Sequence, residues 1–147
     1  MIDERLKRMA RTVVDYSLKI KPGEKVLIDS TKNCTDMLKY MIKLLDARGA
    51  IPLVCLEEND IKSILIKYGS KEQFEIMKEA KAALLNKVDV YINMMDSDNC
   101  FDMSDVPAEK RALYQKYYFK PINFEIIVPK LRWITVDYPS FTSAQQF

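Results

Sequence analysis

The segment KVLID, residues 25–29, decides the fold class of this 147-residue chain. It is a short apolar run containing Cβ-branched side chains. It lies between the turn residues Lys21-Pro22-Gly23 and the polar pair Ser30-Thr31. A run of this kind is typical of a strand buried on both faces, which occurs where helices cover both sides of a parallel sheet. The segment therefore predicts the first strand of an α/β fold.

Helical and strand patterns alternate outward from this strand. Apolar residues at helical spacing in the first twenty residues predict one amphipathic helix that ends at Lys21-Pro22-Gly23. A second helix carries its apolar residues from position 37 to 45 and stops at Gly49, which accepts the left-handed conformation that follows many helices. Residues 51–56 predict the second strand, and Pro52 belongs at its start or at a sheet edge because proline lacks an amide donor.

The middle of the chain predicts two helices. Residues 61–68 form a short one closed by Gly69. Ser70 and Gln73 have the spacing of a capping box, which begins a helix through Leu85.

The remainder adds two strands and one helix. Residues 88–94 alternate apolar and polar side chains, as a strand does, and residues 131–136 form the fourth strand. Pro107 opens a helix towards Phe119 that continues, after a break at Pro121, to Val128. The order predicts a mostly parallel four-stranded sheet with helices on both faces, in a single three-layer domain spanning residues 1–147.

Composition excludes several kinds of catalytic site. The chain contains no histidine, so it cannot supply a Ser-His-Asp triad, a Cys-His pair or an imidazole metal ligand. Its three glycines are scattered, which excludes glycine-rich nucleotide-binding loops. Cys34, Cys55 and Cys100 are too few and too far apart for a disulfide framework, and we interpret them as reduced, buried thiols.

Charge and hydropathy indicate no nucleic acid or membrane partner. The net charge is only +2, and no apolar stretch approaches the ~18 residues of a membrane span. We therefore expect a cytoplasmic protein.

Ligands of parallel sheets bind at the carboxyl ends of the strands. Four segments follow the predicted strands and are the places to search for a site: residues 29–34, 57–60, 95–99 and 137–140. Asp96, Ser97, Asp98 and Asp102 suggest a calcium loop, but Phe101 stands where that motif needs glycine. We interpret these polar residues as turn and capping residues.

Three further candidates have simpler structural interpretations. Residues 29–33 could hold an anion, but hydroxyl and amide side chains are also common helix caps. Asp29 and Asp96 could form an acidic phospho-acceptor pocket, which requires a lysine that the sequence does not place. The tyrosines of residues 114–118 and nearby cations could bind nucleic acid, yet an amphipathic helix with aromatic anchors, part of which contacts another domain, explains them more simply.

Several segments together resemble the N-terminal domain of the aminopeptidase T family, whose members are thermophilic, leucyl-type metallo-aminopeptidases. The segments are residues 10–28 (ARTVVDYSLKIKPGEKVLI), Arg48-Gly49-Ala50 leading into Pro52-Leu53-Val54, residues 88–94, Arg132-Trp133, Tyr138-Pro139-Ser140 and Ser143-Ala144-Gln145.

The resemblance implies a hydrolase that uses two divalent ions, Zn, Co or Mn, to remove amino-terminal residues from peptides. In that family the Glu, His and Asp ligands lie in a second domain, so no catalytic, cofactor-binding or metal residue carries over to this chain. We expect this chain to be inactive alone, to contact a C-terminal catalytic domain, to help enclose the substrate cavity of a homo-oligomer, and to expose an apolar patch when isolated. It would be an excised segment or a truncated product.

Two other classes stay open. One is a stand-alone small-ligand or protein-interaction module. The other is the N-terminal domain of a related iron-dependent ring-cleaving dioxygenase, since relatives share this architecture.

Overall fold

The computed structural model describes residues 2–96 and 103–138. Within them, four strands form one sheet in the order β2-β1-β3-β4, and every neighbouring pair is parallel. The strands are β1 Lys25–Thr31, β2 Ile51–Glu57, β3 Val90–Asp96 and β4 Arg132–Tyr138. The predicted α/β class is confirmed.

Helices connect these strands. They are α1 Glu4–Arg11 with a π turn Thr12–Ser17, α2 Thr35–Ala47, α3 Asn59–Tyr68, α4 Lys71–Leu85, and a long helix over residues 108–130. The long helix consists of α5 Ala108–Tyr114, π turn Gln115–Phe119, α6 Lys120–Ile122, π turn Asn123–Ile127 and α7 Val128–Lys130.

The sheet is buried on both faces because successive side chains of a strand point in opposite directions. Val26 and Ile28 of β1 belong to one core with residues of α1 and α2, whereas Leu27 belongs to a second core with Leu85 and with Ile122 of the long helix. All three β1 residues are fully buried, as predicted for KVLID.

The second strand lies at a sheet edge, which confirms the position expected for Pro52. From β1, the chain first crosses to β2 at this edge. It then returns past β1, so that β3 pairs with the opposite side of β1. The direction of the crossovers therefore reverses between β1 and β3, which is where open parallel sheets bind ligands.

The first helix ends earlier than predicted, at Ser17. Lys19 adopts a left-handed backbone (φ 50°), and the amide of Ile20 donates to the carbonyl of Val14 at 2.9 Å. This geometry closes a helix in the manner usual for glycine. The Lys21-Pro22-Gly23 turn thus shapes the approach to β1 and does not end the helix.

The predicted break at Pro121 is wrong. The helix continues through Pro121 to Lys130, and π turns end two residues before Pro121 and before Pro129. A proline removes one amide donor, and a π turn shifts the hydrogen-bond register at the same place. Each missing proline donor therefore falls where a π turn has already changed the hydrogen-bond pattern. The helix continues because no further hydrogen bonds need to be broken there.

Among the described residues, no helix has the length and apolar character needed to cross a membrane.

Candidate functional site at the carboxyl ends of the strands

Residues that follow all four strands meet in one cavity of about 850 Å³, which we call the strand-end cavity. Because the strands are parallel, their carboxyl ends lie at the same edge of the sheet. The cavity is lined by Asp29, Ser30 and Thr31 of β1, Glu57 and Asn59 after β2, Asn93 to Asp96 of β3, Thr135 and Asp137 of β4, and Lys62, Phe119 and Asn123 of helices. Each predicted strand-end segment contributes, although residues 97–99, 139 and 140 lie outside the described residues.

The charge of this lining is acidic. Its carboxylates belong to Asp29, Glu57, Asp96 and Asp137, and Lys62 is the cation among the described lining residues. The Lys62 ammonium lies 3.4 Å from a Glu57 carboxylate oxygen. Two of the four carboxylates thus have cationic partners, since Asp29 is ion-paired with Lys81 of α4 and Glu57 with Lys62.

Asp29 is buried at the base of the strand ends and both of its oxygens are occupied. The Lys81 ammonium donates to Oδ1 at 2.5 Å, and the Tyr91 hydroxyl donates to Oδ2. Burial, strengthened by the neighbouring Asp29 charge, raises the pKa of Tyr91 far above its ordinary value. Tyr91 is thus a neutral donor to a charged acceptor.

The acidic phospho-acceptor arrangement does not form. Asp29 pairs in register with Asn93, and Asp96 lies three residues further along β3, so the two carboxylates extend to opposite faces of the sheet. The lysine that the sequence did not place comes from helix α4, and it neutralises Asp29 instead of leaving it free to react.

One feature of the sequence indicates that Lys81 has a buried partner. It lies on the same stripe of α4 as Phe74 and Leu85, whose side chains are buried. A lysine on the apolar stripe of a helix requires a buried partner, because an unpaired charge there is costly.

The capping interpretation of residues 29–33 does not match the geometry. A 3₁₀ turn over Lys32–Cys34 separates β1 from α2, and no side-chain cap bonds the first amides of α2. The Thr31 hydroxyl instead contacts the Cys34 thiol at 3.3 Å.

A second, apolar pocket of about 490 Å³ adjoins the strand-end cavity, and we call it the α3 pocket. Leu56, Ile61, Leu65 and Met77 form its apolar lining, Tyr114 and Tyr118 line it from the long helix, and Lys32, Thr35, Glu57, Glu58 and Lys62 are its polar lining residues. Glu57 and Lys62 line both spaces.

The aromatic residues of the long helix pack as the amphipathic interpretation predicts. Tyr114 makes an edge contact with Phe74 at 5.6 Å between ring centroids and stacks on Tyr118 at 5.2 Å. Burial raises the pKa of both tyrosines well above the ordinary value.

Cys34 and Cys55 do not line the strand-end cavity. Cys34 is buried and Cys55 is half-buried, and burial raises the pKa of both thiols. Cys100 lies outside the described residues, as do Ser97, Asp98 and Asp102 of the rejected calcium loop.

The described residues do not fit a pair of hydrolytic metal ions. The sequence has no imidazole, and residues 2–96 and 103–138 contain no group of three or more acidic or thiol side chains placed to hold a metal. Two-metal sites need several such ligands around each ion.

Comparison with known proteins gives one family match. The model of the thermophilic metalloprotease (M29) family matches residues 2–147. Wild-type AmpT from Thermus thermophilus has a similar structure, with a TM-score of 0.68 and 15% sequence identity over 93% of this chain and 36% of that chain. The CurK enoyl reductase crystal structure gives a TM-score of 0.41 and 14% identity over 97% of this chain and 44% of that chain. No curated protein matches.

The AmpT likeness is one of fold, given its low sequence identity. This chain spans about a third of the AmpT length.

Proposed function

We propose, from the premise that this chain belongs to the thermophilic metalloprotease (M29) family, that it is the non-catalytic N-terminal domain of a two-metal aminopeptidase. Its strand-end face would help to form the substrate cavity. The observation that carries the proposal is a family match over residues 2–147 in a sequence without a single histidine.

Two divalent ions would supply the chemistry of the whole enzyme by activating water and polarising the scissile carbonyl. They would be held outside this chain, because its described residues offer no suitable ligand group. The role left to this chain is to bind and orient the peptide and to exclude water from the cavity.

The exposed surface supports contact with a catalytic domain. Helix α3 and the end of β2 present large apolar side chains to solvent, which we call the α3 patch. It consists of Leu56, Ile61, Ile64, Leu65 and Tyr68, each between 45% and 74% exposed. Contiguous apolar surface of this kind usually marks an interface.

The proposal is tested by assaying the purified 147-residue chain with leucyl-p-nitroanilide, with and without added Zn²⁺, Co²⁺ or Mn²⁺. We expect no turnover above the protein-free control, because no described residues can hold the ions. Metal-dependent hydrolysis by this chain would overturn its assignment as a non-catalytic domain. A catalytically active metallo-aminopeptidase, assayed in parallel, verifies that the substrate and metals are competent.

A graft tests the structural role. The segment of AmpT that aligns with this chain is replaced by residues 2–138, and hydrolysis by the chimera is compared with that of AmpT lacking the segment. We expect the graft to restore metal-dependent activity in part. A folded chimera no more active than the deletion would contradict a role in forming the cavity.

A further inference from the structure

Strand β4 has a free edge. Within residues 2–96 and 103–138 it pairs only with β3, so its backbone groups that point away from β3 have no strand partner. Proteins usually protect such an edge with proline, lysine or a covering element, because it readily accepts another strand. The other edge strand, β2, contains Pro52, whereas β4 has neither proline nor lysine. Its interior, residues 133–136 (WITV), consists of aromatic and Cβ-branched side chains that favour strand pairing.

One face of β4 is also uncovered. The other face belongs to the core that β4 shares with α1 and α2, where Val136 is buried. The side chains that point away from this core are exposed, and they belong to Trp133, Thr135 and Asp137. Trp133 is 47% exposed. Because strands of parallel sheets are normally covered on both faces, this one has room for further contacts beside its free edge.

The sequence of β4 is complementary to itself in one antiparallel register. A two-fold axis through Thr135, the middle residue of the strand, pairs all seven residues of β4 with those of a second copy. Opposite residues of antiparallel strands point to the same face, so buried and exposed positions match. The opposite pairs are Thr135 with Thr135, Ile134 with Val136, Trp133 with Asp137 and Arg132 with Tyr138. Moving the axis to Ile134 leaves residues 137 and 138 of each strand without a partner in β4.

These pairs suit their positions. Threonine pairs and pairs of Cβ-branched side chains stabilise neighbouring strands, whereas like charges directly opposite each other destabilise them. Arg132 and Asp137 are the charged residues of β4, and in this register neither lies opposite a charged residue. The indole N–H of Trp133 is a hydrogen-bond donor, and the Asp137 carboxylate opposite it is an acceptor.

We infer that two copies of this chain associate antiparallel through their β4 edges, in the register centred on Thr135, and form one continuous sheet. The occupant of the edge is a second copy because the strand matches its own sequence over its full length. Strand β2, with Leu56 of the α3 patch, lies at the opposite edge of the sheet. Pairing at β4 therefore leaves the α3 patch free, and the inference goes beyond the proposed function without depending on it.

The test maps the register with cysteine pairs. Every variant also carries Ile64→Glu, so that association through the α3 patch does not contribute. Opposite residues of antiparallel strands have Cα atoms about 5 Å apart, which a disulfide can span. We expect Thr135→Cys to form a disulfide-linked dimer under mild oxidation, at least about tenfold above the Ile64→Glu chain, whose own cysteines give the background.

A mixture of two variants tests the register most sharply. Trp133→Cys alone and Asp137→Cys alone place their thiols four residues out of register, about 14 Å apart, and should give only the background. An equimolar mixture of the two places cysteines opposite each other and should form the linked heterodimer at least about fivefold above either variant alone. Denaturing gels without reductant, with mass spectrometry of the linked peptides, measure the yields.

A charge at the axis should prevent pairing. Thr135→Lys, added to both members of the mixture, places two ammonium groups opposite each other and should lower the yield of linked heterodimer at least about fivefold. Ile51→Lys is the matched control, since it adds the same charge to β2 at a residue that is 46% exposed. Far-ultraviolet circular dichroism verifies that each variant folds.

Two results would overturn the inference. One is a folded Thr135→Cys chain with no linked dimer above the background, which would mean that something other than a second copy covers this edge. The other is an equal yield from the mixture and from the single variants, which would mean that the disulfides form by random collision. Neither result affects the proposed function, which hydrolysis by this chain alone would overturn.

Discussion

Asp29 shows how a single buried charge organises the centre of this fold. It lies on the central strand β1, bonds to Lys81 of α4 and Tyr91 of β3, and so ties three elements together. The side chains of Asp29 and Lys81 are only 10% and 11% exposed. Burying this pair is not itself strong evidence for stability, but breaking it leaves a charge without a partner.

Replacement of Asp29 by Asn should therefore be costly. We expect Asp29→Asn to lower the free energy of unfolding by about 3 kcal/mol, because it leaves the Lys81 ammonium buried without a counter-charge. Urea denaturation followed by circular dichroism measures the change. The control is Asp15→Asn, which removes the partner of Arg48 in a more exposed ion pair and should cost less than about 1 kcal/mol. Equal stability of Asp29→Asn and the unchanged chain would contradict this account.

At the scale of the elements, local signals fixed several helix ends. Ser70 accepts a hydrogen bond from the amide of Gln73, and the Gln73 side chain accepts one from the amide of Ser70, so the predicted capping box is confirmed. Gly49 has the predicted left-handed backbone after α2, with φ 78°. The end of the first helix at Ser17 and the course of the long helix past Pro121 were not predicted, because they depend on the left-handed backbone of Lys19 and on π turns.

The contribution of the capping box can be measured. Ser70→Ala should lower the free energy of unfolding by about 1 kcal/mol, because it removes the acceptor for the Gln73 amide. Ser63→Ala is the matched control, since that exposed hydroxyl donates only to the Asp60 carbonyl in its own helix. A loss in Ser63→Ala as large as that in Ser70→Ala, determined by thermal or urea denaturation, would argue against the cap.

The α3 patch makes a second prediction about an element. If another domain normally covers it, the isolated chain should self-associate as concentration rises, and Ile64→Glu should shift it towards the monomer. Sedimentation velocity across a concentration series measures the distribution. Ile76→Glu changes an equally exposed isoleucine outside the patch and should have little effect. A monodisperse monomer for the unchanged chain would count against a covered patch.

At the scale of the whole molecule, three tyrosines, two of them buried and Tyr118 half-buried, make stability depend on high pH. Burial raises the pKa of Tyr91, Tyr114 and Tyr118 in the folded chain. In the unfolded chain each would ionise near its ordinary pKa of about 10. Because the folded pKa values are higher, this contribution to stability is fully present below that pH and is lost as the pH rises above it.

The free energy of unfolding should therefore fall steeply above about pH 10, by up to about 1.4 kcal/mol per pH unit for each buried tyrosine. Urea titrations at a series of alkaline pH values measure the slope. Tyr114→Phe should reduce the slope by one such contribution, because it removes one titrating group and no hydrogen bond within the described residues. Tyr16→Phe, at a tyrosine that is 74% exposed, should leave the slope unchanged.

The family resemblance seen in the sequence is confirmed by the match over residues 2–147. Part of the resemblance, Pro139-Ser140 and Ser143-Ala144-Gln145, lies outside the described residues.

The amino-acid sequence by itself determined the class of fold, because period-two and helical patterns, Gly49 and the Ser70 capping box are local signals. The sequence also determined where to search for a site, because the carboxyl ends of parallel strands lie on the same side of the sheet. Only the tertiary structure decided which side chains meet there. Lys81 and Tyr91 are 52 and 62 residues from Asp29, and Tyr114 and Leu65 line one pocket from two different helices. Such contacts depend on how the helices pack against the sheet, and no local pattern encodes the distance between residues so far apart in the chain.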